Sequence, residues 1–147
     1  MDYTADNTSK LRVIYGDLTL GLSGADFHYI FSYQTGGPES LCIKGQEWLY
    51  RSPRPTFWRA LTDNDRGSGF HLKSGMWLSA DLFMQCVEIQ VSVDGQSIPL
   101  PKAPENNRYK SEEYAGQVGI SFLYRTITVP SAMVKATYTV DSSGKIL

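Results

Sequence analysis

The sequence has no surplus of positive charge, because 14 Lys and Arg residues stand against 15 Asp and Glu residues in a chain of 147. Binding to a nucleic-acid backbone needs clustered Lys and Arg, so the composition predicts no nucleic-acid partner. No apolar run approaches the roughly 20 residues that a membrane-spanning helix needs, which predicts no membrane partner. The N-terminal stretch MDYTADNT lacks the basic and then apolar segments of a secretory signal. We therefore expect a cytoplasmic protein.

Cysteine and histidine are scarce, with only Cys42, Cys86, His28 and His71. Neither type has the short spacing of a metal site or a disulfide framework, so we expect two reduced thiols buried in the core. His28 alternates with the aromatic residues of its predicted strand and should point to the opposite face. No serine or cysteine has the local sequence signature of a nucleophile activated by a base. The chain is thus expected to contain no metal ligands.

The glutamates lie in predicted hairpins or polar connections. None has the apolar surroundings that raise a carboxyl pKa for general-acid catalysis, and no two form an evident pair for glycoside hydrolysis. We therefore predict no catalytic residue in this chain.

Aromatic residues are abundant at 12%, and Val, Ile and Thr recur in alternating runs, which favours strands over helices. Strands are predicted by period-two patterns at residues 11–15, 17–22, 27–33, 40–43, 47–50, 87–93, 117–129 and 133–140. Three of these patterns place apolar side chains on one face of the strand: Leu18, Leu20 and Leu22; Phe27, Tyr29, Phe31 and Tyr33; and Val118, Ile120, Phe122 and Tyr124. Asp94-Gly95 is a strong hairpin signal, and only residues 75–84 have helical apolar spacing. These patterns predict an all-β fold, an antiparallel β-sandwich with one short helix near 75–84. Residues 1–10 are polar and are predicted to be a disordered tail.

The last residues of the sequence, 145–147, begin a strand after the turn at 141–144. Three residues leave no room to pair with the strand at 133–140, so that strand should keep an open edge. We expect a polypeptide that is cut within a sheet and that can self-associate through this edge.

The most informative stretch is PTFWRALTDNDRGSG, from Pro55 to Gly69. Side-chain hydrogen-bonding groups this dense are costly to bury unless they satisfy one another. We therefore expect a loop that crosses under or along a sheet edge, in which Asp63 and Asp65 cap backbone amides or pair with Arg59 and Arg66. If that network is buried, replacing Arg59 with alanine should cost roughly 3–5 kcal/mol. A calcium-binding loop is excluded, because the spacing counted from Asp63 fails the pattern of oxygen ligands and glycine.

Three stretches resemble the small chain of glycoside hydrolase family two β-galactosidases: GGPESL at 36–41, GQEWL at 45–49, and the run at 55–67. The run resembles the W-R-A-x-T-D-N-D-x-G signature, carried here by Trp58, Arg59, Thr62, Asp63, Asn64, Asp65 and Gly67. The likeness covers about residues 11–147 and is closest to the separately encoded small subunit of two-chain, lactobacillus-type enzymes. It implies a sandwich like that of galactose mutarotase, incomplete here, because this chain supplies only its N-terminal part.

The resemblance implies a non-catalytic role in hydrolysing terminal β-D-galactosides such as lactose. The catalytic glutamates would belong to a large partner chain, as would any Mg²⁺ or Na⁺, and this chain would hold no cofactor. It would complete and buttress the active site, with the signature as a structural loop near the rim. Residues 67–75 would approach the sugar through Phe70 and His71.

Two alternatives remain open. An aldose epimerase would need a histidine and glutamate constellation, for which two histidines are poor material. A freestanding carbohydrate-binding sandwich would need an aromatic platform, for which the candidates are Trp48, Tyr50 and Phe70.

Overall fold

The computed structural model describes residues 10–56, 63–68, 83–102, 113–128 and 130–147. Its strands and helix, in chain order, are β1 Leu11–Tyr15, β2 Thr19–Ser23, β3 Phe27–Ser32, β4 Gly37–Ile43, β5 Gln46–Glu47, α1 Asp63–Ser68, β6 Gln85–Val93, β7 Gln96–Ile98, β8 Glu113–Ala115, β9 Gln117–Arg125 and β10 Met133–Asp141. Within this part of the chain, no helix is long and apolar enough to cross a membrane.

The strands form two antiparallel sheets. Sheet A has six strands in the order β5-β4-β3-β2-β1-β8, and sheet B has four in the order β10-β9-β6-β7. Strands β1 to β5 follow one another as a meander, and β8 returns to the far side of β1, with Leu11 opposite Ala115. In sheet B, β6 and β7 are joined at Asp94 and Gly95, whose φ angles of 49° and 82° suit the tight turn that this dipeptide predicts.

The core lies between the two sheets and is built from alternate residues of their strands. In sheet A, β3 buries Phe27, Tyr29 and Phe31 on one face, as predicted. In sheet B, β9 buries Val118, Ile120, Phe122 and Tyr124 on one face, also as predicted. The Tyr138 ring joins the layers, with its centroid 5.7 Å from that of Phe31 and 6.1 Å from that of Phe122. The predicted all-β sandwich is thereby confirmed.

Long-range pairing accounts for two differences from the sequence predictions. The strand β8 was missed because Glu113 and Tyr114 are both exposed and give no alternating signal; its pairing with β1 defines it. The expectation that residues 145–147 cannot pair was wrong. The Asp141 carboxylate accepts hydrogen bonds from the Ser143 and Lys145 amides and closes a tight turn. Consequently Leu147 and Thr139 exchange backbone hydrogen bonds of 2.9 and 2.8 Å.

Two other predictions need adjustment. The segment expected to be a loop contains the six-residue helix α1, from Asp63 to Ser68. Leu18, expected on the buried face with Leu20 and Leu22, lies before β2 and is 45% exposed. The predicted tail lies outside the described residues except for Lys10. The predicted helix near 75–84 also lies outside them, apart from its last two residues, which belong to no helix.

Candidate functional site

The candidate site is the segment 48–56, which leaves β5 and leads into the signature stretch; we call it the arm. It begins at the edge of sheet A, where Lys44 and Gly45 turn β4 into β5 with φ angles of 51° and 77°. Trp48 continues this pairing, since its amide donates a 3.0 Å hydrogen bond to the Leu41 carbonyl. The chain then turns away from the sheet.

Glu47 fixes the start of the arm. Its carboxylate accepts hydrogen bonds from the Ser40 hydroxyl, from the Leu41 amide at 2.8 Å and from the Leu49 amide at 3.0 Å. The hydrogen bond from Ser40, followed by those from the backbone, holds the pKa of Glu47 below its ordinary value. Each of these bonds favours the charged form. At neutral pH Glu47 is therefore a charged acceptor, whereas a general acid needs a raised pKa.

Replacing Glu47 with glutamine should lower the urea midpoint at neutral pH, because glutamine cannot accept these bonds as a charged group. The folded pKa is depressed, so the difference from wild type should be full above about pH 4.3, the ordinary glutamate pKa. It should shrink as the pH falls and vanish below the folded pKa. Urea unfolding across pH 2.5–7 (roughly, spanning both protonation states) measures this. Glu39→Gln, an exposed change on β4, is the control, and a pH-independent gap for Glu47→Gln would refute the role.

The far end of the arm is held where both sheets meet. Tyr124 on β9 donates its hydroxyl hydrogen to the Gly36 carbonyl before β4. Arg54 in the arm donates from Nη2 to the Thr35 carbonyl at 3.3 Å. A Cβ added to Gly37 would lie 2.6 Å from Ser52 Oγ, closer than real Cβ contacts. We call Gly36, Gly37, Ser52, Arg54 and Tyr124 the anchor. The arm thus contacts the connection between β3 and β4, and Tyr124 of sheet B holds that same connection.

Two titratable groups described at the anchor, Tyr124 and Cys86, are uncharged near neutral pH. Burial raises the pKa of Tyr124 to about 12. Burial also raises the pKa of the Cys86 thiol, which lies beside Gly36. Both cysteines are free, as expected, but each is only partly buried, and Cys86 packs against the core without lying inside it. A neutral, half-covered thiol is a packing group and a weak nucleophile.

Between its two fixed ends the arm exposes large aromatic side chains. Trp48 is 64% exposed and Tyr50 is fully exposed. Arg51 and Arg54 are exposed as well. The arm sequence WLYRSPRPT contains these two arginines and no carboxylate. The surface is therefore aromatic and positively charged.

Only part of the predicted signature is described. Asp63, Asn64 and Gly67 are exposed on α1, and Asp65 belongs to the same helix. The other predicted site residues lie outside the described residues: Trp58, Arg59, Thr62, Phe70 and His71. The hydrogen-bonding network around Arg59 therefore stays a prediction.

Other sequence predictions concern single residues and metals. His28 is exposed on the outer face of β3, as expected, opposite Cys42 of β4. Among the residues that the structure describes, no group of three or more His, Cys, Asp or Glu side chains could hold a metal ion. No local sequence pattern indicates the roles of Glu47 and Tyr124. The only signal for the anchor was the Gly36-Gly37 pair, since paired glycines mark close approaches of other chain segments.

Comparison with known proteins identifies the family. Residues 23–147 match the family described as β-galactosidase small chain. The chain is 63% identical to the β-galactosidase small subunit of Latilactobacillus sakei over 142 residues. This alignment covers 97% of this chain and 45% of that protein. It is 34% identical to a β-galactosidase of Clostridium acetobutylicum over 96% of this chain and 14% of that protein. A β-galactosidase of Lactobacillus delbrueckii subsp. bulgaricus is also 34% identical, over 91% of this chain and 11% of that protein.

The chain spans less than half the length of each of these relatives. The family match nevertheless covers most of the chain, including β3 to β10 and the arm. The resemblance noted in the sequence is thus confirmed. This chain belongs to the β-galactosidase small-chain family.

Proposed function

We propose that this chain is a non-catalytic part of a two-chain β-galactosidase, whose active site lies on a large catalytic chain. It completes and buttresses that site for the hydrolysis of terminal β-D-galactosides such as lactose. The observation that carries the proposal is the 63% identity, over 97% of this chain, to a protein named as a β-galactosidase small subunit. In the proposed assembly, residues 67–75 with Phe70 and His71 approach the rim of the active site.

The acidic side chains support the non-catalytic role. Glycoside hydrolysis uses a carboxyl group with a raised pKa to protonate the leaving group, beside a second carboxylate. Glu47 and Asp141 both have lowered pKa values, chiefly because the Ser40 and Ser143 side chains donate hydrogen bonds to them. These two carboxylates fix turns and strand ends. They are unsuited to donating a proton to a sugar oxygen.

The proposal also covers cofactors, location and self-association. Any Mg²⁺ or Na⁺ needed by the assembled enzyme binds to the large chain, and the assembly works in the cytoplasm.

Along the outer edge of β10, the described residues pair only from Thr139 to Asp141 with residues 145–147. The edge from Met133 to Tyr138 therefore offers backbone groups to a second copy when the large chain is absent.

Reconstitution tests the proposed function. We expect this chain alone to hydrolyse no o-nitrophenyl-β-galactoside, and to bind the purified large chain of the same enzyme in sedimentation velocity runs. The mixture should be more active than the large chain alone. The Latilactobacillus sakei small subunit serves as the longer reference. Hydrolysis by this chain alone would refute the non-catalytic assignment, and absence of binding would refute the subunit role.

A freestanding carbohydrate-binding module is less well supported. Trp48 and Tyr50 are exposed as that alternative requires, but the relatives are β-galactosidases or their subunits. Binding of the isolated chain to immobilised galactosides, without binding to the large chain, would favour the alternative.

A further inference from the structure

We propose that the arm is the segment by which this chain docks on its large-chain partner, with Trp48 and Tyr50 entering an apolar groove that has an acidic rim. This inference rests on the proposed function, because it names the contact surface of that same partner. It adds a site to a segment that hydrolysis itself does not require.

Among the described residues, the arm carries the two most exposed aromatic side chains, Trp48 and Tyr50, ahead of Phe83 and Tyr114. The rings of Phe31, Phe122 and Tyr124 are buried in the core, whereas Trp48 and Tyr50 extend from the edge of sheet A. Single exposed apolar residues are common on protein surfaces. Two large aromatics within three residues are a different case, since each can bury about 150–250 Å² in an interface. The arm therefore holds apolar area that a partner can cover.

The arm is also held in place before any partner arrives. Glu47 fixes its start through the Leu49 amide at 3.0 Å, and Arg54 fixes its far end through the Thr35 carbonyl at 3.3 Å. Pro53 and Pro55 restrict the backbone φ angles in between. Ordering a mobile loop would consume part of the binding free energy, and a fixed loop avoids that loss. Exposed aromatics on a pinned segment are suited to docking.

The charge of the arm determines what it fits. Residues 48–56 carry Arg51 and Arg54 and no carboxylate. Tryptophan, tyrosine and arginine are the residues most enriched where interface energy concentrates. A neutral galactoside would account for the aromatic rings but give no role to Arg51, the exposed arginine of the arm that does not hold it in place. A protein groove with carboxylates around its rim accounts for both, because opposite charges guide association and fix orientation.

The test is a binding titration of the purified large chain with the whole of this chain and its variants. Trp48→Ala and Tyr50→Ala should each raise Kd at least tenfold. Arg51→Glu should lower the association rate and weaken its dependence on salt. Tyr114→Ala is the matched aromatic control, since Tyr114 is 42% exposed on β8, the opposite edge strand of sheet A. Lys10→Glu, an exposed change just before β1, is the charge control. Both controls should bind as wild type.

The outcomes separate this inference from the proposed function. If the wild-type chain does not bind the large chain, the proposed function fails and the docking role with it. If wild type binds and Trp48→Ala and Tyr50→Ala bind equally well, only the docking role is overturned. The docking role is also overturned if Tyr114→Ala weakens binding as much as Trp48→Ala and Tyr50→Ala do. Galactoside binding by the isolated chain that Trp48→Ala abolishes would make the arm a sugar platform and overturn the inference. Circular dichroism melts of each variant confirm that it is folded.

Discussion

Replacing Phe122 with alanine is expected to lower the free energy of unfolding by about 3–5 kcal/mol. Phe122 is fully buried on β9, which lies between β6 and β10 in sheet B. Its ring centroid is 6.4 Å from that of Tyr124 and 6.1 Å from that of Tyr138. Through Tyr138 this group reaches Phe31 in sheet A. Removing the ring would therefore open a cavity at the contact between the sheets, where neighbours on rigid strands cannot collapse to fill it.

The neighbouring position provides the control for Phe122. Leu123 lies on the same strand but faces the outer side of sheet B, where it is only partly buried. Leu123→Ala should cost much less than Phe122→Ala, since the removed atoms leave little enclosed space. Urea unfolding followed by tryptophan fluorescence measures both. Equal losses for the two variants would mean that β9 presents the wrong face to the core.

Replacing Gly36 with alanine is the second large effect, at about 2–4 kcal/mol from backbone strain and overpacking together. Gly36 has a φ of 72°, a left-handed conformation that L-residues with a side chain adopt at a cost. A Cβ there would lie 2.8 Å from the Cys86 Cβ and 3.1 Å from its Sγ. Because the Gly36 carbonyl accepts the Tyr124 hydrogen bond, a shift of this backbone should also displace the far end of the arm.

A second glycine separates the two contributions. Gly45 has a similar φ of 77°, yet a Cβ there would meet nothing within 4 Å. Gly45→Ala should therefore show the backbone strain alone, about 1–2 kcal/mol. Adding Cys86→Ala to Gly36→Ala should restore little stability, since the nearest atom is the Cys86 Cβ, which alanine keeps. Thermal and urea unfolding of the variants would test this, and equal losses at Gly36 and Gly45 would contradict the close contact.

Sequence pattern predicted those parts of the fold in which neighbours along the chain determine the structure. The alternation from Val118 to Tyr124 gave the buried face of β9, and Asp94-Gly95 gave a hairpin. The three-residue strand β8 could not be found this way, because its only reason to be extended is β1, about a hundred residues earlier. Residues 145–147 were misjudged for a related reason: a turn organised by one carboxylate, that of Asp141, lets very few residues pair.

The same distinction holds for the site. A specific signature and two flanking stretches were enough to identify the family from the sequence. Local sequence patterns could not predict the anchor, because the Tyr124 hydroxyl and the Gly36 carbonyl are 88 residues apart in the chain. The sequence predicted that Glu47 is not a general acid. Its three accepted hydrogen bonds could not be predicted, because they depend on how β4, β5 and the arm meet. The pairing of Arg59 with Asp63 or Asp65 remains a prediction.

The meander of sheet A has a consequence for synthesis of the protein. Strands β1 to β5 are neighbours in sequence, so they can pair as soon as they leave the ribosome. Tyr138 of β10, whose ring packs near that of Phe31, is made about 90 residues after β5 ends. At translation rates of roughly 5–20 residues per second, this apolar face of the nascent sheet waits about 5–18 seconds for that cover. During that interval the growing polypeptide exposes apolar surface that favours aggregation.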